Sequence, residues 1–219
     1  MLFSSRAHHP RHAGNGVVDA GRIHCPDMMA LVAFSESATT LSPFAGAYDG
    51  KFAAAVQQLP AVAGRGGTTN MTAGLRAAND LIARMPRGLR RRVWLLSDGG
   101  ANVEVDGLWQ QVTRAAAQHC NINTIGFGNR GEFDDQLLRR IAGATHNGKY
   151  CEATTIAALG QAFRRAAGQG HAVNHRGEAT VFCIDTSASM TSPMEGRTRI
   201  AAVRNAMNDL IVWKQANWS

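Results

Sequence analysis

The sequence predicts an α/β domain built on a doubly wound, mostly parallel sheet with helices on both faces. Three observations lead there. The short, almost wholly apolar runs MMALVAF, VWLLS and ATVFCI have the length and composition of strands buried on both sides. Segments with apolar residues at helical spacing follow nearly every such run. Gly, Pro, Asp and Asn punctuate the joints. Strands that alternate with helices argue for parallel pairing through crossover helices.

The elements follow in order. Residues 1–24, which begin MLFSSRAHHPRHAGNG, are expected to be a flexible basic tail with His8, His9 and His12 solvated, and they lack the apolar core of a signal peptide. The domain occupies 25–219. A buried strand spans 28–34, and a shorter one spans 39–44, which Pro43 helps to end. Asp49 can cap a helix that runs to about Leu59, and AGRGGTTN is a Gly-rich loop. From Thr72 a helix presents Leu75, Ala78, Leu81, Ile82 and Met85 on one face, until Pro86 and Gly88 end it. A strand at 91–98 stops at Gly99-Gly100, and Leu108, Val112 and Ala115 mark the next helix. A strand at 121–128 leads to a helix at 134–144, whose acidic first turn suits the helix dipole. A short strand at 148–153 precedes a helix at 154–167 with Ile156, Leu159 and Phe163 inward. Residues 168–178 read as a linker. One more strand, 179–185, then leads to a long helix with Ile200, Val203, Met207, Leu210 and Ile211 on its apolar stripe.

The 219 residues suffice for one sizeable α/β core and are short for two. The formal charge of +7 favours anionic partners or surfaces. The basic residues are scattered, however, and do not interleave with aromatics, so a solvated Arg-rich surface is expected and nucleic acid is not. The one tight run, Arg90 to Arg92, leads straight into an apolar strand. Cys25, Cys120, Cys151 and Cys183 form no C-x-x-C pair, which favours a reduced, cytoplasmic setting over secretion. No apolar run approaches the ~18 residues of a membrane helix.

In an open parallel sheet, ligands bind at the carboxyl ends of the strands. Three oxygen-rich loops can meet there: Asp185, Ser187 and Ser189 after the last strand; Thr68 and Thr69 before a helix; and Asp98 after its strand. Two carboxylates and several hydroxyls form a hard, all-oxygen set that suits Mg²⁺ or Mn²⁺ rather than Zn²⁺. Neutral hydroxyls leave much of the ion's charge unbalanced, so such a site calls for one more anionic oxygen from outside.

Asp-x-Ser-x-Ser in CIDTSASM, the Gly-rich Thr loop before a helix, and the strand ending Ser-Asp-Gly together resemble the von Willebrand factor A domain. The resemblance covers 25–167 and 178–216. It implies a Rossmann-like sheet with a metal-ion-dependent adhesion site. Ser187, Ser189 and one threonine would bind Mg²⁺ (or Mn²⁺ or Ca²⁺) directly, and Asp185 and Asp98 would act directly or through water. TTNMTAGL aligns on the family's Thr-Asn pattern with Thr69 as the ligand and Thr68 as the alternative. In the family the metal-loop strand and its helix come first; here they stand last, at 179–216. The reading is a circular permutation within one chain. A fragment of a tandem protein, or a segment exchanged between two chains, is the alternative.

By that resemblance the expected function is cation-dependent binding of a protein through an exposed Asp or Glu, by a monomer without a membrane span. Loops 99–106 and 190–199 would set partner identity. Arg197 and Arg199 are expected at a solvated helix start, with reinforcement of an acidic partner as the alternative. The alternatives are a Mg²⁺-dependent hydrolase and an RNA-associated member of the same class. A hydrolase wants a general base, and none of the three loops carries a His or Glu.

Overall fold

The computed structural model describes residues 17–19, 22–24, 27–46, 49–102, 105–168 and 177–217. A small antiparallel pair comes first: β1 (Val17–Asp19) and β2 (Arg22–His24), with Val17 opposite His24. Residues 17–19 and 22–24, expected within the flexible tail, form this pair. Residues 1–16, with their three histidines, and Cys25 lie outside the described residues.

Two antiparallel strands follow, β3 (Met28–Phe34) and β4 (Ala38–Gly46), joined by a tight turn. Pro43 does not end β4, which continues through it to Gly46. β4 pairs on one side, with β3, and its register slips twice near Leu31, so an edge position absorbs the missing proline N–H. Asp49 caps α1 (Gly50–Gln57), its Oδ1 accepting from the Lys51 N–H at 3.0 Å. A single turn, α2 (Leu59–Val62), and the Gly-rich loop lead to α3 (Met71–Ala83). Asn70 caps α3 by accepting from the Ala73 N–H at 2.9 Å, and Met85 lies past the helix end.

The rest alternates as expected: β5 (Arg90–Ser97), α4 (Val105–Ala117), β6 (Cys120–Phe127), α5 (Asp135–Gly143), β7 (Tyr150–Ala153), α6 (Ile156–Gly168) and β8 (Glu178–Asp185). After β8 come a 3-10 turn at Ala188–Thr191, a minimal hairpin of β9 (Pro193–Met194) and β10 (Arg197–Thr198), and α7 (Arg199–Asn217). Glu195 and Gly196 turn that hairpin with φ of 47° and 81°, the positive pair that a two-residue turn requires.

The main sheet has six strands in the order β4-β3-β8-β5-β6-β7. Every pair in it is parallel except β3–β4. The last long strand of the chain therefore lies inside the sheet, hydrogen-bonded to β3 on one side and β5 on the other. Its composition explains the position: ATVFCID is buried throughout, which a strand with water on neither face demands. Alternate residues feed two cores. Phe182 and Ile184 point into the core beneath α1, α6 and α7, and Ala179, Val181 and Cys183 into the one beneath α3, α4 and α5. The Phe182 ring sits between Phe52 and Phe163, with centroids 5.8 and 5.9 Å away.

Arg90 to Arg92, the tight run that leads into the strand, divide by strand geometry. Arg90 is exposed. Arg91 donates to the backbone carbonyls of Gln118 and Met85 at 3.1 and 2.7 Å. Arg92 is buried beside Glu178, 3.2 Å away.

Candidate functional site

Three loops converge at the carboxyl edge of the sheet, and backbone hydrogen bonds explain how. At the end of β8 the Thr186 N–H and hydroxyl both donate to the Phe34 carbonyl, at 2.7 and 3.0 Å. The Gly-rich loop clasps the same turn: the Gly64 N–H donates to the Thr186 carbonyl and the Ala188 N–H to the Gly66 carbonyl, each at 2.9 Å. Asn102 ties the Thr loop to the segment after β5. Its side chain accepts from the Thr69 N–H at 2.8 Å, and its own N–H donates to the Thr69 carbonyl at 3.3 Å.

Gly74 sets the approach of α3. A Cβ at this position would lie 2.9 Å from Cys183 Sγ and from the Phe34 ring. The bare backbone lets the helix settle on β8 and β3, with the Thr loop just ahead of it.

The five residues expected to bind a metal fall here. Asp185 is fully buried at the tip of β8. Its Oδ1 accepts from the Ser187 N–H at 2.9 Å and its Oδ2 from the Ser97 hydroxyl at 2.6 Å. The hydroxyls of Ser187 and Ser189 are 3.1 Å apart, and Ser189 donates to Asp98 Oδ1 at 2.6 Å. Thr69 is buried and its hydroxyl lies 3.5 Å from where a Cβ of Gly99 would be, beside Asp98. The alternative, Thr68, has a buried hydroxyl with no hydrogen-bond partner.

Burial pushes the Asp185 carboxyl up to about 6. The hydrogen bonds from Ser97 and Ser187 oppose that rise, and the neighbouring Asp98 charge adds to it.

Arg199 is not at a solvated helix start. It is buried, and its Nη1 donates to Asp98 Oδ2 at 2.7 Å. Its Nη2 meets the Glu132 carboxylate. Glu132 is also bound by the side chain and N–H of Asn129, and these bonds, with Arg199 behind them, hold its carboxyl below the ordinary range. Gly128, at φ 147°, makes room: a Cβ there would approach Glu132 Oε2 to 3.1 Å and Arg199 Cζ to 3.3 Å. Ser97, Arg199 and Glu132 join the site beyond the five residues that the sequence reading placed there. Ser97 stood in plain view beside Asp98; the other two left no local signal. Met190 and Arg199, the ends of one expected recognition loop, point inward, and of the other loop residues 103–104 lie outside the described residues.

A divalent ion fits the donor set. Mg²⁺ with oxygen ligands at about 2.1 Å places adjacent ligands about 3 Å apart. The hydroxyls of Ser187 and Ser189 are 3.1 Å apart, and Asp98 Oδ1, hydrogen-bonded to Ser189 at 2.6 Å, needs only a small shift to reach that spacing. The unpartnered Thr68 hydroxyl is a further oxygen in the Thr loop. Among the described residues, no three His, Cys, Asp or Glu side chains cluster as a metal site, so any ion here depends on hydroxyl ligands.

Comparison with known proteins agrees with this architecture. No curated protein matches the chain. A solved structure described as von Willebrand factor type A from Catenulispora acidiphila is similar, with a TM-score of 0.57 and 23% identity, over 66% of this chain and 34% of that one. This chain thus spans about a third of that protein's length. A second, an uncharacterized membrane spanning protein from Vibrio fischeri, aligns with a TM-score of 0.33 and 24% identity over 65% of this chain and 75% of the other. Among the described residues no helix is long and apolar enough to cross a membrane. The sequence model of the von Willebrand factor type A domain matches residues 15–165, more than half of the chain, and the chain belongs to that family.

Proposed function

We propose that this domain, a member of a family of protein-interaction modules, binds its partner through a divalent cation at the carboxyl edge of the sheet. The observation that carries the reading is that the oxygens of Ser187, Ser189 and Asp98 are gathered at one point of the carboxyl edge, 3.1 and 2.6 Å apart, within reach of a single small ion. Ser187, Ser189 and Thr69 would hold Mg²⁺ or Mn²⁺ directly, and Asp185 and Asp98 directly or through water. The ion would supply a Lewis-acidic contact for a carboxylate of the partner. With Arg199 already balancing part of the Asp98 charge, the bound ion keeps more of its own, which favours an anionic sixth ligand. Binding rather than hydrolysis suits the charged groups present. Glu132, the carboxylate on the far side of Arg199 from Asp98, is engaged by Asn129 and Arg199 instead of being poised as a base.

The chain order belongs to the same proposal: a circular permutation, with the family's opening strand and helix supplied by β8 and α7. Two facts support it. β8 lies between β3 and β5, and the family model stops at residue 165, before β8 begins.

Calorimetric titration with Mg²⁺ and Mn²⁺ tests the site. The wild-type chain should bind one ion, and Asp185→Ala should bind none while its circular dichroism stays native. Undiminished metal affinity in Asp185→Ala would refute the assignment.

A further inference from the structure

The opposite edge of the sheet carries a second feature. At the amino ends of β5 and β6, two clefts of about 550 and 870 Å³ adjoin and share Arg91 and His119 as lining. Arg90, Arg92, His146 and Lys149 line the first, and Arg84 and Arg87 the second. Among the described residues lining either cleft there is no Asp or Glu, although the chain has 16. Arg92 is neutralised by Glu178. Arg91 is fixed by two carbonyls that cancel none of its charge, and its Nε is buried without a partner. His119, just past the end of α4 with φ at 52°, lines both clefts. Asn121, Asn123 and Asn147 add neutral polar groups to the first cleft. Among the described lining residues there is no Phe, Tyr or Trp, and so no platform on which bases would stack.

We infer that these joined clefts form an anion site for a chain of linked phosphates, as in inorganic tripolyphosphate or the tail of a nucleoside triphosphate. Apart from Arg92, which Glu178 engages, Arg91 and the surrounding cations Arg84, Arg87 and Lys149 have no carboxylate among the lining residues, which matches a ligand that carries several negative charges. A single phosphate would leave most of these cations unbalanced. The site lies at the other end of β5 from Asp98, about 25 Å away at the rise of a strand, so it works independently of the metal loops.

Calorimetry on the full chain in metal-free buffer at roughly 0.15 M salt tests this, with tripolyphosphate, ATP and a short single-stranded oligonucleotide as probes. Saturable one-to-one binding of tripolyphosphate is expected. It should weaken at least tenfold in the double variant Arg90→Gln/Lys149→Gln, which alters two exposed side chains, and stay unchanged in Asp185→Asn. Equal affinity for ATP assigns recognition to the phosphates, and a tenfold preference for ATP names a nucleotide as their source. Three results would overturn the inference: no saturable binding, binding indifferent to the double variant, or an oligonucleotide bound more than tenfold tighter than either phosphate ligand. The last would make this edge a nucleic-acid surface.

Discussion

Asp185 is an anion that the metal-free protein buries at a cost. Its carboxyl titrates at about 6 in the fold against an ordinary 3.8, so between those values the native state keeps a proton that the unfolded chain releases. Stability in EDTA should therefore fall as pH rises from about 4 to about 6, by something on the order of 2–3 kcal/mol, and show no further change from this group above that. Asp185→Asn should remove that slope and be the more stable protein near neutrality, which urea melts at about pH 4.5 and pH 7 would reveal. Excess Mg²⁺ should stabilise the wild type and not the variant. Arg199 makes the complementary point. Replacing it by Met leaves Asp98 buried without its cation, and a loss of about 3 kcal/mol is expected from thermal or urea unfolding, with Arg199→Lys recovering part of it. The difference between these residues is also a lesson in legibility. Asp185, Ser187 and Ser189 are readable because their spacing is local. Arg199 looks like a polar residue at a helix start, because the partner that draws it inward stands 101 positions away.

At the scale of elements, β8 does the most. Phe182→Ala should cost about 3–5 kcal/mol, since its ring fills the space between Phe52 and Phe163 at the centre of one core. A loss under about 1 kcal/mol in chemical denaturation would mean that the strand is not central. The long strands and helices were legible because apolar runs and helical periodicity are strong where burial is complete. The small pairs were not. β1–β2 and β9–β10 have two or three residues a strand, too few for an alternation to show, and Glu-Gly is a weaker turn signal than Asn-Gly. Pro43 misled for a related reason. Proline ends a central strand but is harmless on an edge, and which strand is at the edge is a property of the sheet rather than of the segment.

At the scale of the molecule, the account joins residues from both ends of the chain. If the order is a permutation, moving residues 177–217 ahead of residue 27 through a flexible linker should give a protein with the same cooperative unfolding and the same metal affinity. The unaltered chain should run in size-exclusion light scattering at its monomer mass of 23.4 kDa; a dimer would favour exchange of β8 and α7 between two copies. The type of sheet and the three convergent loops could be read from sequence, while the buried pairing of Asp98 with Arg199 needed the assembled fold. The most direct test of the whole is anomalous diffraction from a crystal grown with Mn²⁺. A single peak within about 2.3 Å of the hydroxyls of Ser187, Ser189 and Thr69 is the expected result. A map without a peak among those three loops, or with the ion bound elsewhere, would contradict it.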